Sequence, residues 1–155
     1  MMTKLSFDVV SALGNRTLAT AESCTGGGIG AAITAVPGSS RVFKGGIISY
    51  TNEVKINLLQ VDPFLLEKEG AVSAKVAESM ACGARNALNT DIAVSVTGLA
   101  GPDGDGHNPV GTVYIGFADK DCIFSEKFLF SGDRDEIRNQ AVFAALSIIL
   151  RQIGE

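Results

Sequence analysis

Residues 17–38 read Thr17-Leu18-Ala19-Thr20-Ala21-Glu22-Ser23-Cys24-Thr25-Gly26-Gly27-Gly28-Ile29-Gly30-Ala31-Ala32-Ile33-Thr34-Ala35-Val36-Pro37-Gly38. A short β-leaning run ends at Glu22-Ser23-Cys24-Thr25, three glycines follow, and a small-residue helix is expected from about Ile29 to Ala35. A strand-to-helix turn of this kind can hold a polar nucleophile away from the main chain. Glycines let a ligand approach the backbone, and the unpaired N–H groups of a helix start attract an anion or an oxyanion. One segment thus offers a nucleophile, Ser23, together with an anion site and an oxyanion hole from the N–H groups of Cys24, Thr25, Gly26 and Gly27. The plainer alternative is a tight turn in which Ser23 or Thr25 caps the helix.

Outward from this turn, strands and helices alternate. Leu5, Val9, Ala12 and Leu13 keep helical spacing ahead of Gly14. Strands are expected at Thr17–Glu22, Gly45–Tyr50 and Ile92–Thr97. Between the second and third come a short helix over Glu53–Leu59 capped by Asn52, another opened by Asp62-Pro63 and closed by Gly70, and a long helix from Ser73 to about Leu88. Val76, Met80, Ala84 and Leu88 share one face of the long helix. Val110–Ala118 and Cys122–Phe130 flank a turn at Asp119-Lys120 and read as an antiparallel hairpin. Asp133 and Glu136 form a capping box for a last helix that runs to about Ile153. The alternation implies right-handed crossovers. The fold class is α/β, a three-layer α/β/α sandwich on a mixed, mostly parallel five-stranded sheet. Ligands bind such sheets beyond the carboxyl ends of the parallel strands, and Ser23, Tyr50 and Gly98 lie at or just past those ends.

Bulk properties bound the rest. The 155 residues suit one domain, with 46% hydrophobic and 19% charged residues and no Trp. A net charge of −4 supplies no basic surface for duplex nucleic acid. No stretch is long enough to span a bilayer and Met1-Met2-Thr3-Lys4 opens no secretory signal. Cys24, Cys82 and Cys122 lack metal-type spacing and read as reduced thiols, so a cytoplasmic location is expected. The single His107 leaves little room for a Ser-His-Asp triad. No cofactor or metal is called for.

Three further stretches carry chemistry. In Tyr50-Thr51-Asn52-Glu53-Val54-Lys55, Lys55 falls in a first helical turn near the end of strand two. The helix dipole and partial desolvation would lower it from about 10.4 towards a useful base. A neutral lysine can take the proton of a neighbouring serine hydroxyl, and Tyr50 could relay a proton or align the pair. A solvated lysine and a tyrosine packing the rim are the ordinary alternatives. The loop Thr97-Gly98-Leu99-Ala100-Gly101-Pro102-Asp103-Gly104-Asp105-Gly106-His107-Asn108-Pro109 is long for a compact domain, and Thr97, Gly98 and Gly101 are expected to meet a ligand. Asp103, Asp105 and His107 are solvated residues there rather than a metal site. Arg134 and Arg138 share a helix face near an N-terminus, where cations oppose the dipole; an anionic ligand explains that placement, as does pairing with Asp135 or Glu136. Cys24 is a rival nucleophile whose thiol a helix N-terminus would acidify; a small buried thiol is the favoured reading. The apolar face Val142, Ala145, Leu146, Ile149 and Ile153 could serve a homo-oligomer interface as well as a core.

Several separate motifs stand in order: Ala21-Glu22-Ser23-Cys24-Thr25-Gly26-Gly27, Val36-Pro37-Gly38-Ser39-Ser40, Gly45-Gly46-Ile47-Ile48-Ser49-Tyr50-Thr51-Asn52-Glu53-Val54-Lys55, Gly70-Ala71-Val72-Ser73, Thr97-Gly98-Leu99-Ala100-Gly101-Pro102, Pro109-Val110-Gly111-Thr112-Val113, and Gly132-Asp133-Arg134 with Ile137-Arg138. Together they resemble the CinA C-terminal domain family, the nicotinamide-nucleotide amidohydrolases, over nearly the whole chain. The resemblance implies deamidation of nicotinamide mononucleotide to nicotinate mononucleotide and ammonia. It maps the family's serine, tyrosine and lysine onto Ser23, Tyr50 and Lys55, and its late arginine onto Arg138 or Arg134. The alternative is a nucleotide-binding or adaptor module without turnover. Two departures stand out. Gly28 replaces a large aliphatic residue, and the loop after Pro102 is acidic and holds His107 where the family is glycine-rich. In full-length members the domain follows a larger N-terminal domain whose nucleotide chemistry is not transferred to these residues.

Overall fold

The computed structural model describes residues 1–154. Strand β1 (Leu18–Glu22) has five consecutive buried residues, as expected of a strand covered on both faces. It lies between β2 (Phe43–Ile48) and β3 (Ile92–Gly98), parallel to both. Antiparallel to β3 runs β4 (Thr112–Ala118), and β5 (Ile123–Leu129) runs antiparallel to β4. The order is β2-β1-β3-β4-β5. The expected sandwich forms: four strands point one way, although only two of the four pairings are parallel.

Helices α1 (Met2–Leu13), α2 (Gly28–Thr34) and α6 (Arg134–Ile153) cover one face, where Leu18, Val94, Val96, Ile115 and Phe117 meet Ile29, Ile33 and Leu146. Helices α3 (Asn52–Leu59), α4 (Pro63–Glu69) and α5 (Ala74–Leu88) cover the other. The α5 side of the central strands is paved with small residues, Ala19, Ala21, Ala93, Ser95 and Gly116. The helix backbone therefore comes close: Ser95 Oγ donates to Ala77 O at 2.5 Å, and a Cβ at Gly116 would stand 2.3 Å from the same oxygen. The chain leaves β1 over the α2 face and leaves β2 over the α5 face, so a crevice opens beyond the strands' carboxyl ends.

Local signals place the ends. Gly14 ends α1, Asp62 caps α4, Gly70 closes it, and Asp133 with Glu136 makes the capping box of α6. The cap of α3 is Thr51, whose Oγ1 accepts the N–H of Val54 at 3.3 Å, not Asn52 as the sequence reading expected. Asn52 is the first helical residue. Strand β2 ends at Ile48 and not at Tyr50, because the chain turns there to enter α3; Ser49 N–H still donates to Glu22 O at 2.8 Å. The apolar face of α6 lies in the core, so it is not free for an interface between copies. No helix of the described residues is long and apolar enough to cross a membrane.

Candidate active site

At the end of β1 the N–H of Ser23 still donates to Val96 O, 3.0 Å away on β3, while the chain turns towards α2. Ser23 is 8% exposed. Helix α3 delivers Lys55, which is only 2% exposed. Its Nζ lies 3.3 Å from Ser23 Oγ, 2.9 Å from Ser49 O and 3.5 Å from Tyr50 O. A neutral amine can give two N–H bonds to the two carbonyls and turn its lone pair to the serine hydroxyl. A charged ammonium would direct its third N–H at Oγ instead. Burial lowers the Lys55 pKa from its ordinary 10.5, with the neighbouring Cys24 thiol pulling the other way. Among the described residues no carboxylate pairs with Lys55.

Tyr50 joins this pair through atoms the sequence did not single out. Its main-chain oxygen is the one near Lys55. Its phenol, in a side chain 57% exposed, instead accepts a hydrogen bond from Arg134 Nη2 at 3.0 Å. Arg134 Nη1 donates to Gly101 O at 2.5 Å. The N-terminus of α6 is thereby tied to the segment after β2 and to the loop after β3. Between these segments lies a cleft of about 400 Å³, lined by Ser23, Cys24, Tyr50, Asn52, Lys55, Ala71, Val72, residues 97–103 and Arg134. Its side chains carry one guanidinium, Arg134, and one buried amine, Lys55, against one carboxylate, Asp103.

Cys24, Thr97, Gly98, Gly101 and Arg134 thus line the cleft as expected; Thr25, Gly26, Gly27 and Arg138 do not. Thr25 Oγ1 is turned inward to Glu22. Arg138 braces the turn from outside, donating to Cys24 O at 3.0 Å and Thr25 O at 3.3 Å. Gly26 lies under that guanidinium, and Gly27 lies against Ile48. The start of α2 is not open to an external anion either. The Glu22 carboxylate accepts the N–H groups of Ile29 at 2.8 Å and Gly30 at 2.9 Å. Of the turn's N–H groups, Gly26 and Gly28 donate within the turn, and no acceptor meets Cys24, Thr25 or Gly27 among the described residues. The Cys24 N–H is the one of these on a cleft-lining residue.

The Cys24 thiol is pushed up to about 11 by burial, which outweighs the nearby positive groups. The reading of Cys24 as a small buried thiol holds, and the alternative of acidification by a helix start does not, because the side chain packs into the apolar cluster beneath the turn. In the acidic loop Asp105 accepts the N–H groups of His107 and Asn108 at 2.9 and 2.7 Å, and these hold its carboxyl below the usual range. It organises the loop.

Sequence reading missed Glu22, Asn52, Val72 and Asp103. A carboxylate closing a strand of Leu, Ala and Thr was a usable signal for Glu22. Asn52 was hidden because Thr51 and Asn52 are both good caps. Val72 and Asp103 are brought in by tertiary packing alone, and no local pattern marks them.

A profile of the family described as the CinA C-terminal domain matches residues 3–153. The chain is 55% identical over 132 residues to the CinA-like protein of Geobacter sp. (strain M21), covering 84% of this chain and 32% of that protein. It is 51% identical over 142 residues to the CinA-like protein of Thermosynechococcus vestitus, covering 89% and 34%. It therefore spans about a third of the length of these curated relatives. Among solved structures, the competence damage-inducible protein A of Klebsiella pneumoniae superposes with a TM-score of 0.96 at 31% identity, over 99% of this chain and 98% of that one. The competence/damage inducible protein CihA of Agrobacterium tumefaciens gives 0.94 at 34% identity, over 99% and 96%.

Proposed function

The chain belongs to the CinA C-terminal domain family, and from that premise we propose that it hydrolyses the carboxamide of nicotinamide mononucleotide to nicotinate mononucleotide and ammonia. The observation that carries this reading is the buried contact between Lys55 Nζ and Ser23 Oγ. A lysine with two carbonyl partners, no carboxylate and a lowered pKa is suited to act as a base, not to hold a permanent ion pair.

Ser23 Oγ attacks the carboxamide carbon and its proton passes to Lys55 Nζ. The carbonyl oxygen gathers negative charge opposite the Cys24 N–H. The C–N bond then breaks, ammonia leaves with the proton from Lys55, and the acyl group remains as an ester on Ser23. Lys55 next takes a proton from water, the resulting hydroxide adds to the ester carbonyl, and Ser23 Oγ departs, regaining that proton. Arg134 is the cation for the substrate phosphate, since the α2 start is already filled and Arg138 faces away from the cleft. The apolar wall from Val72, Leu99 and Ala100 suits a pyridine ring. The three free thiols fit a reducing cytoplasm.

The test is ammonia release from nicotinamide mononucleotide, which Ser23→Ala should abolish. Full activity in Ser23→Ala would overturn the mechanism. Retained activity in Lys55→Ala alone would require another base. Inactivation by thiol alkylation with Ser23→Ala surviving would transfer the role to Cys24. Ligand binding with no product over long incubation would point to a nucleotide-binding or adaptor module.

A further inference from the structure

We infer that Glu22 is a positioning residue whose carboxylate holds the turn that sets the Ser23 hydroxyl in front of Lys55. This rests on the reading of Ser23 as nucleophile. Glu22 is 2% exposed and no cation pairs with it among the described residues. A carboxylate this deep is tolerated only when hydrogen bonds replace water. Its oxygens accept Thr25 Oγ1 at 2.6 Å, Ile29 N–H at 2.8 Å and Gly30 N–H at 2.9 Å. These contacts pin the far end of the turn that begins at Ser23.

The same residue reaches the base through its main chain. Glu22 O accepts the N–H of Ser49 at 2.8 Å, and Ser49 O accepts Lys55 Nζ at 2.9 Å. A continuous path of hydrogen bonds therefore runs from Lys55 through Ser49 and Glu22 to Thr25 and the start of α2. The half that reaches Lys55 is main chain and would survive any substitution at position 22. The half that holds the Ser23 turn belongs to the carboxylate alone, and it is this half that positions the hydroxyl against an amine already fixed by the backbone.

The experiment follows Ser23 with a fluorophosphonate probe. The Oγ–P bond forms as fluoride leaves, and the hydroxyl proton goes to Lys55. Glu22→Gln, checked by circular dichroism to be folded at the assay temperature, should label about tenfold to a hundredfold more slowly. Its kcat on nicotinamide mononucleotide should fall in parallel, with KM within about threefold because the cleft walls are untouched. Wild-type labelling in a folded variant with a lowered melting temperature would reduce Glu22 to a cap and overturn the inference. If Glu22→Gln fails to fold, Thr25→Val removes one donor to the carboxylate. It should slow labelling about twofold to fivefold, a loss of one modest hydrogen bond; an unchanged rate overturns the inference. A wild-type chain that labels yet releases no ammonia sinks the amidase reading alone. A wild-type chain that does not label sinks both.

Discussion

Lys55 has to be neutral when Ser23 attacks, and burial already moves it that way. Lys55→Arg keeps a cation but removes the base, and should cost about 10²- to 10⁴-fold in kcat. In the wild type kcat/KM should climb with pH and level off below the ordinary lysine value of 10.5. Stability carries the same signature. The unfolded chain keeps the Lys55 proton up to 10.5, whereas the folded chain releases it earlier, so stability rises with pH across that interval. Chemical denaturation at several pH values should show this slope in the wild type and not in Lys55→Met. Cys24 acts with opposite sign: its contribution is full below 9.0 and is lost as pH rises through about 11. The comparison is therefore best made in a Cys24→Ala background. The two arginines should separate as well. Arg134→Ala should raise KM about tenfold to a hundredfold, the loss of a charge-assisted contact. Arg138→Ala should mainly lower kcat by loosening the Ser23 turn. Steady-state kinetics that assign these effects the other way round would exchange their roles.

At the level of elements, two neighbouring residues of α3 divide the work. Thr51→Ala should cost about 1 kcal/mol of stability, read by thermal or urea melting. Asn52→Ala should leave stability nearly unchanged and alter KM, since its side chain lines the cleft without capping. The break between helix and strand was legible in Tyr50-Thr51-Asn52, but the choice of cap was not. Both side chains can accept the same N–H, and the entry angle of the chain decides between them. The helix at Gly28 was legible only in outline. A Cβ there would lie 2.9 Å from Val142 Cγ2 of α6, so the packing of α2 on α6 leaves no room for a side chain. Gly28→Leu should destabilise the protein by about 1–3 kcal/mol through overpacking, and Val142→Ala should recover part of that loss in a double-mutant cycle. The parallel core with its antiparallel hairpin, and the meeting of Ser23 with Lys55, followed from pattern and chemistry; the strand order did not. The orientation of the Tyr50 phenol depended on a contact 84 residues apart, which no local window reports; the filling of the α2 start by Glu22, only 8 residues away, lay within such a window.

Across the whole molecule, the cleft draws on segments from Ser23 to Arg134 that only the folded sheet brings together. On the function proposed above, the purified 155-residue chain is expected to turn over nicotinamide mononucleotide, an outcome that a coupled ammonia assay would check. The tie from Arg134 to the Tyr50 phenol has an optical consequence. The chain has no Trp and two tyrosines. Excitation at the red edge of tyrosine absorption, beyond that of phenylalanine, therefore reports only on Tyr50, at the mouth of the cleft, and on Tyr114, paired with Lys127 on the sheet. Any anion that draws the guanidinium away changes the surroundings of one of just two fluorophores. In Tyr114→Phe, occupancy of the cleft can be titrated by tyrosine emission with no attached dye.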